Sequence, residues 1–234
     1  MTVISQLACL GCNFAAYPNK IHPVDPEKTI IQALDSFWTD KKVFTMLIGL
    51  LKYRIHPLIN LPRLYNMALI LENDKKILIS VLLFKVAKAT KDDRYKFYAN
   101  KIKKKTRSYS YFPKEYSDTF YIQRNGIDKE FKKFNLNLAD FFDIQHEKKF
   151  APMIKIYSQN PWLRLRALIG TDYRADIIYL KISGVISNQA EAAKIIGCNK
   201  SSVSRVWNSI KGFDELAQLG SSLICAQGEG LLRL

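Results

Sequence analysis

Apolar residues recur at helical spacing through the first part of the chain, in stripes that short polar breaks separate. The first stripe follows Asp25-Pro26, a pair typical of a helix start because Asp caps the first amides and Pro fits the first turn. The pattern predicts a helical domain over residues 1–108, with neighbouring helices antiparallel and one face of each in the core. We expect this domain to form a dimer or to bind a signal or a protein partner. The stripes are Ile30, Ile31, Leu34, Phe37 and Trp38, then Val43, Phe44, Leu47, Ile48 and Leu51, then Leu64, Tyr65, Ala68 and Leu71, then Ile77, Leu78, Val81, Leu82 and Phe84.

In the middle of the chain, apolar and polar residues follow a less regular spacing. Residues 119–124 are typical of extended chain, Asn125-Gly126 is a turn signal, and residues 131–142 fit a helix. We interpret residues 109–160 as a connecting region and residues 161–234 as a C-terminal domain.

Two short helices with a tight turn are predicted within residues 188–208. Asn188 can cap the first helix, Gly197 can end it with a positive φ, and Asn199 can cap the second. Small residues on the first helix allow the two helices to approach closely, and this favours a helix-turn-helix over the alternative, a plain helical hairpin in a core. The inward stripes are Ala192, Ala193 and Ile196 on the first helix and Val203, Val206 and Trp207 on the second.

This stretch resembles the helix-turn-helix of bacterial transcription regulators. Upstream, Asp172 can cap a further helix over 173–183, and residues 165–176 are similar to an R-A-L-F-G…R-A-D lead-in of bacterial winged-helix proteins. Downstream, residues 223–234 are typical of two short strands around a glycine turn. The resemblance implies a winged helix-turn-helix with a short β-hairpin over residues 161–234. With the N-terminal helical domain, the predicted fold class is mainly α.

The resemblance also implies a reading surface for double-stranded DNA. The second helix, predicted over residues 200–211, would enter the major groove. Arg205 is the expected base reader because a guanidinium bonds guanine bidentately, and Asn208 can do the same for adenine. Ser201 and Ser202 suit phosphate contact at the helix N-terminus. The predicted DNA-binding residues are Asn199, Lys200, Ser201, Ser202, Ser204, Arg205, Asn208, Lys103, Lys104 and Lys105.

The net charge is strongly positive, with 36 Lys and Arg against 21 Asp and Glu, a formal charge of +15. Twelve of the basic residues lie within residues 75–107, where two acidic residues oppose them. Such a run is either a solvated face or a flank that contacts nucleic-acid phosphates, and the second reading applies to Lys103, Lys104 and Lys105. No apolar run reaches the about 18–20 residues that span a membrane, and the N-terminus lacks a basic leader pattern. We therefore expect a cytoplasmic protein that does not enter a membrane.

Residues for catalysis or metal binding do not form a recognisable motif. The three histidines are scattered, and Cys9 and Cys12 form a lone C-x-x-C without further ligands nearby. Asp140, Asp143 and Glu147 could gather on a helix as in a metal-dependent nuclease, but a surface charge cluster is the commoner explanation. We expect no enzyme activity, no catalytic residue, no metal and no cofactor.

Sequence-specific DNA binding is therefore the predicted function, most simply that of a homodimeric bacterial transcription regulator. Two alternatives stay open: a replication initiator of plasmid or phage type, and an antitoxin-like interaction module whose N-terminal helices hold a protein partner. A short palindromic site would indicate the dimeric regulator, and long direct repeats would indicate the initiator.

Overall fold

The computed structural model describes residues 2–13, 23–107, 119–140 and 146–210. Over these residues the protein is mainly α, as the apolar spacing predicts: 72% of them are helical, and extended pairing among them is limited to isolated β-bridges. Residue contacts divide the chain into two compact units, Met1–Asn160 and Pro161–Leu234. Within the described part, no helix is long and apolar enough to cross a bilayer.

The first unit contains nine α-helices among its described residues, with 3-10 turns at Leu34–Ser36, His56–Leu58 and Glu147–Lys149. A π-helical stretch, Leu51–Ile55, continues the third helix. The helices are α1 (Val3–Cys9), α2 (Pro26–Ala33), α3 (Lys41–Leu50), α4 (Leu61–Leu69), α5 (Asn73–Thr90), α6 (Asp93–Lys103), α7 (Thr119–Asn125), α8 (Lys129–Lys132) and α9 (Met153–Gln159).

Side-chain caps set several helix starts in this unit. The carboxylate of Asp25 accepts the amide of Lys28 at the start of α2, and Asn60 accepts the amide of Arg63 at the start of α4. A proline occupies the first turn of both helices, as the sequence predicts. Both helix starts are therefore favoured by interactions between residues that are close in sequence.

Helix α5 is the centre of the first unit. Residues 77–84 are all buried, so this helix is apolar around most of its circumference rather than along one stripe. Helix α6 packs beside it, and the hydroxyl of Ser80 on α5 donates to the carbonyl of Ala99 on α6 over 2.9 Å. Lys91, in the left-handed conformation with φ 58°, reverses the chain between the two helices.

A buried ion cluster joins α2 to α4. The guanidinium of Arg63 is fully buried and donates to Asp25 and to Glu27, each at 2.5 Å. Glu27 also accepts the amide of Asn60 over 2.8 Å. Because both carboxylates are held by the guanidinium and by backbone amides, their negative charge is compensated inside the core.

Two predictions for the middle region were wrong. Residues 119–124, predicted as extended, lie in helix α7, which buries no residue and has no strand beside it among the described residues. The helix predicted over 131–142 ends after Lys132, where Asn135 has φ +60°. Beyond it Phe134, Leu136 and Leu138 are buried in the alternating pattern of extended chain. Their spacing from Phe131 also fits a helix, so the pattern was ambiguous.

The described part of residues 109–160 belongs to the first compact unit, and the second unit begins at Pro161. Arg54 holds this segment: its Nε donates to the carbonyl of Ala151 over 2.7 Å, and its Nη1 to Glu147 over 2.6 Å. Cys12 forms a β-bridge with Phe150. Of the three acidic residues considered for a metal-dependent nuclease, Glu147 pairs with Arg54, Asp140 is exposed, and Asp143 lies outside the described residues.

Candidate nucleic-acid interface

Four helices build the described part of the second unit: α10 (Pro161–Ile169), α11 (Tyr173–Ile182), α12 (Gln189–Ile196) and α13 (Lys200–Ser209). Helices α11, α12 and α13 contact one another in all three pairings. Each contributes side chains to one apolar core, so the three are held by shared burial. The buried members of this core are Trp162, Ile177, Leu180, Ile186, Ala192, Ile196, Val203 and Ile210.

The turn between α12 and α13 has the features that the sequence predicts. Asn188 caps α12 by accepting the amide of Glu191 over 3.0 Å. Gly197 ends α12 with φ +73°, a conformation that side chains with a Cβ rarely adopt. Asn199 then caps α13 by accepting the amide of Ser202 over 2.8 Å. Two helices connected by this turn form a helix-turn-helix, in which α13 occupies the second position.

Glu191, three residues after Asn188, can complete a capping box, and its carboxylate reinforces the start of α12. Its carboxylate accepts the amide of Ser187 over 2.7 Å and the hydroxyl of Ser187 over 3.0 Å, one residue before the cap. The hydrogen bonds from Ser187 lower the pKa of Glu191 below its ordinary value. The carboxylate therefore acts in the turn before α12, away from α13.

The buried faces differ in detail from the predicted stripes. Ala192, Ile196 and Val203 are buried as predicted, whereas Val206 and Trp207 are only partly buried against the core. For α11 the apolar spacing predicts an inward stripe of Ala175, Ile178, Tyr179 and Ile182. The buried side is instead centred on Ile177 and Leu180, and Ala175 is the one fully buried member of the predicted stripe. The shift follows from Asp176, an acidic residue that is also on the buried side.

Asp176 belongs to a buried polar contact between α10 and α11 that the sequence analysis did not identify. Its Oδ1 accepts the indole N–H of Trp162 over 2.6 Å and the Nε of Arg166 over 2.8 Å. The side chains of Arg166 and Asp176 are both fully buried. Both residues lie in the lead-in stretch, residues 165–176. The available signal was that Asp176 is the one acidic residue of α10 and α11 and lies ten positions after Arg166.

The exposed face of α13 carries the predicted DNA-binding residues of this unit. Lys200, Ser201, Arg205 and Asn208 are exposed, and Ser202 and Ser204 are half-buried. Neither Lys200 nor Arg205 has a hydrogen bond or ion pair within the described part of the chain. Helix α13 contains no acidic residue. The face therefore presents two unpaired cations with hydroxyl and amide groups between them.

At the N-terminal end of α13, Asn199 and Ser201 already hydrogen-bond within the protein, so they are less available to DNA than the sequence indicates. The side chain of Asn199 accepts both the Ser202 amide and the Ser201 hydroxyl, the latter over 2.9 Å. Asn208, one turn beyond Ser204, donates weakly to its hydroxyl over 3.5 Å. Asn199 thus serves the helix as a cap, and Ser201 could donate to a phosphate only by leaving Asn199.

Lys103, Lys104 and Lys105 lie in the first unit, at the C-terminal end of α6. Lys104 and Lys105 are exposed. Lys103 is half-buried, with its Nζ 5.7 Å from the ring centre of Phe134, a buried residue. The three lysines that are adjacent in sequence therefore differ in surroundings, and two of them are free to meet a partner.

Several predicted elements lie outside the described residues. Helix α13 is described to Ser209, and the last position of its predicted range, residue 211, is not described. The predicted β-hairpin at residues 223–234 is also outside the described residues. Comparison of the chain with protein-family models, with curated proteins and with solved structures found no match. The resemblance to winged helix-turn-helix proteins therefore rests on the residues quoted above.

The described residues form no site for metal binding or thiol chemistry. Within them no group of three His, Cys, Asp or Glu side chains is placed to hold a metal ion. Cys9 and Cys12 are both buried, and burial raises the pKa of the Cys12 thiol far above its ordinary value. A thiol held in its neutral form is a poor nucleophile and a poor metal ligand.

Proposed function

We propose that this protein binds double-stranded DNA sequence-specifically and regulates transcription, with α13 as the helix that enters the major groove. The observation that carries the proposal is the geometry of α13. Its Val203 side packs into the core of three helices, its start is capped by Asn199, and its exposed face combines unpaired cations with polar groups and no acid. An acid-free polar face on the second helix of a helix-turn-helix suits contact with base edges between two rows of phosphates.

Arg205 is the proposed base reader. It stands in the middle of α13, exposed and without an intramolecular partner in the described ranges, so no ion pair must break before it meets DNA. A guanidinium can donate two parallel hydrogen bonds to the O6 and N7 of guanine. Lys200, at the first position of the helix, is placed for a phosphate instead. We assign no catalytic role to the protein and propose that it acts as a homodimer, with the first unit available to a protein partner.

Selection from a random-sequence DNA pool with the full chain tests this proposal. Wild type should enrich a motif, and Arg205→Ala should lose preference at one base pair, at a cost of about 1–3 kcal/mol, with little change elsewhere. Arg174→Ala is the matched control, because Arg174 is exposed at the start of α11 and its removal deletes the same charge. This control should keep the enriched motif unchanged.

Each other outcome has a definite meaning. A uniform loss of affinity for all sequences in Arg205→Ala would make Arg205 a phosphate contact. No enriched motif in wild type would refute sequence-specific binding. A short palindrome would support the dimeric regulator, and long direct repeats bound by monomers would replace it with a replication initiator.

A further inference from the structure

An aromatic and basic cluster lies on the outer side of α6 in the first unit, apart from any residue proposed to read duplex DNA. We define it by Tyr65 of α4 and by Phe97, Tyr98 and Lys101 of α6. The ring centres of Tyr65 and Tyr98 are 5.8 Å apart, and those of Phe97 and Tyr98 are 5.2 Å apart. The Nζ of Lys101 lies 4.7 Å from the ring centre of Phe97 and 5.3 Å from that of Tyr65. A cation thus sits against a group of three rings.

Much of this cluster faces solvent. Phe97 is 54% exposed even with Lys101 beside it, and Tyr65 and Tyr98 are half-buried. The side of α6 that packs on α5 is different, with Tyr95, Ala99 and Ile102 fully buried. Phe97 is therefore not a core residue of α6. An exposed phenylalanine leaves apolar area in water, and a binding partner that covers the ring would remove that cost.

The surroundings of the cluster are strongly cationic. Residues 94–107 contain seven Lys and Arg and no Asp or Glu. Lys96 on α6 and Lys104, which directly follows the helix, are exposed on either side of Lys101 in sequence. Asp92 and Asp93, at the start of α6, are the nearest acidic residues in sequence, so the balance of charge favours an anionic partner, and the exposed ring favours one with flat groups that can lie on it.

We propose that this face of α6 binds single-stranded nucleic acid, with an unpaired base stacked on Phe97 and the lysines at the neighbouring phosphates. Every base has a π-face, and stacking on an aromatic side chain is a common mode of binding single strands. In a duplex those π-faces are already stacked on one another, so Phe97 would gain nothing from a duplex and only the lysines would contribute. The exposed ring is what distinguishes the two partners.

An anionic membrane fits the same surface less well. A helix that lies in a membrane interface needs a broad apolar face directed to the lipid. The apolar face of α6 is occupied by α5, and its outer side carries one exposed apolar residue, Phe97, among lysines and Asn100. This binding is also independent of the proposed major-groove helix, so the two proposals can fail separately.

Fluorescence anisotropy with the full chain tests the proposal on a labelled oligothymidylate of about 16 nucleotides. Phe97→Ala should weaken this binding about fivefold or more, the effect expected for loss of one stacked base. Phe97→Trp should restore it, because the ring is what matters. The matched control is Phe120→Ala, since Phe120 is an exposed aromatic residue on α7, and it should bind as wild type does.

An abasic oligonucleotide of equal length and charge separates stacking from phosphate contact. It should bind wild type about as weakly as oligothymidylate binds Phe97→Ala, and Phe97→Ala should not weaken it further. Arg205→Ala should lower oligothymidylate affinity no more than Arg174→Ala does, since each removes one exposed charge, and this keeps the result separate from the duplex proposal. Circular dichroism of each variant confirms that the fold is retained.

Three results would overturn the inference. The first is equal affinity of wild type for oligothymidylate and for the abasic strand. The second is Phe97→Ala that retains its fold and binds oligothymidylate as wild type does. The third is Phe97-dependent binding to vesicles of equal phosphatidylcholine and phosphatidylserine with no binding to oligothymidylate, which would make the surface a membrane contact.

Discussion

Gly197 illustrates how one residue positions the proposed reading helix. Its φ of +73° directs the chain from the end of α12 into Asn199 and α13. Among the described residues, and apart from Gly197's own chain neighbours and helix backbone, no atom lies within 4 Å of the position that a Cβ would take, so a methyl group there meets no obstacle. The requirement for glycine at this position is therefore one of backbone conformation alone.

Replacement of Gly197 should therefore destabilise the second unit through backbone strain and not through a steric clash. Gly197→Ala is expected to destabilise the second unit by about 1 kcal/mol, because alanine is strained in the left-handed region. Gly197→Asn should cost less, since asparagine tolerates that conformation. Hydrogen exchange of α12 and α13, followed by mass spectrometry, measures the loss. Gly126→Ala, also at positive φ with open space but in the first unit, should leave that exchange unchanged; equal stability of all three variants would contradict the interpretation.

We expect His56 to make the stability of the first unit depend on pH. Burial lowers its pKa below the ordinary value of 6.5, although its Nδ1 donates to the carbonyl of Leu51 over 3.2 Å. The unfolded chain therefore takes up the proton first as the pH falls. The stability that His56 contributes is complete above the unfolded pKa and is lost below it.

The expected result is a decrease in the free energy of unfolding of the first unit as the pH is lowered from about 7.5 to about 5.5. Urea denaturation at several pH values measures it. His56→Gln should show a flatter profile, because glutamine can donate the same hydrogen bond without titrating. The exposed His146 provides the control, and His146→Gln should retain the wild-type profile. The same slope in all three proteins would assign the effect to other groups.

At the scale of helices, a buried ion pair determines which residues of two packed helices face each other, whereas apolar packing alone is not directional. In the second unit Arg166 and Asp176 join α10 to α11, and Trp162 donates to the same carboxylate. Removing one partner leaves the other charged and buried, which is far more costly than losing an exposed pair. Because α11 packs against α13, this contact also supports the proposed reading helix.

Asp176→Asn should therefore destabilise the second unit by about 3–5 kcal/mol. The double variant Arg166→Met with Asp176→Leu should recover much of that loss, because it removes both charges together. Glu130→Gln, which breaks the partly exposed pair with Lys133, should cost about 0–1 kcal/mol. Hydrogen exchange in α10 and α11 and in α8 measures the three variants. A small effect of Asp176→Asn would indicate that the site admits water and screens the remaining charge.

Across the whole molecule, the charge and the proposed reading helix lie in different units. Residues 1–160 contain 27 Lys and Arg against 15 Asp and Glu, whereas residues 161–234 contain nine against six. Most of the positive charge therefore belongs to the first unit. Each lysine that meets a phosphate releases condensed counterions and steepens the salt dependence of DNA binding.

Salt titration of duplex binding shows whether the first unit takes part. The double variant Lys104→Gln with Lys105→Gln should reduce the slope of log affinity against log salt by up to about two units. Lys103→Gln should have a smaller effect, because its Nζ lies against the ring of Phe134. An unchanged slope in the double variant would mean that these lysines form a solvated surface.

Some features of this protein were determined by the sequence alone because they depend on neighbours along the chain. The caps at Asp25, Asn60, Asn188 and Asn199 and the turn at Gly197 are local: each joins a side chain or a backbone angle to amides a few residues away. The mainly α fold class followed from the same short-range periodicity. Duplex DNA binding, the dimer and the β-hairpin stay predictions.

Other features were decided by tertiary structure because they depend on residues that are distant in sequence. Residues 131–140 fit both helix and extended chain by their apolar spacing, and burial of Phe134, Leu136 and Leu138 beyond the end of α8 accompanies the extended form. The pairing of Arg166 with Asp176 requires α10 and α11 to meet, and the cluster of Tyr65 with Phe97 and Lys101 requires α4 to lie beside α6. Sequence periodicity tells which face of a helix is buried, but only packing decides which other helix covers it and which side chains stay at the surface.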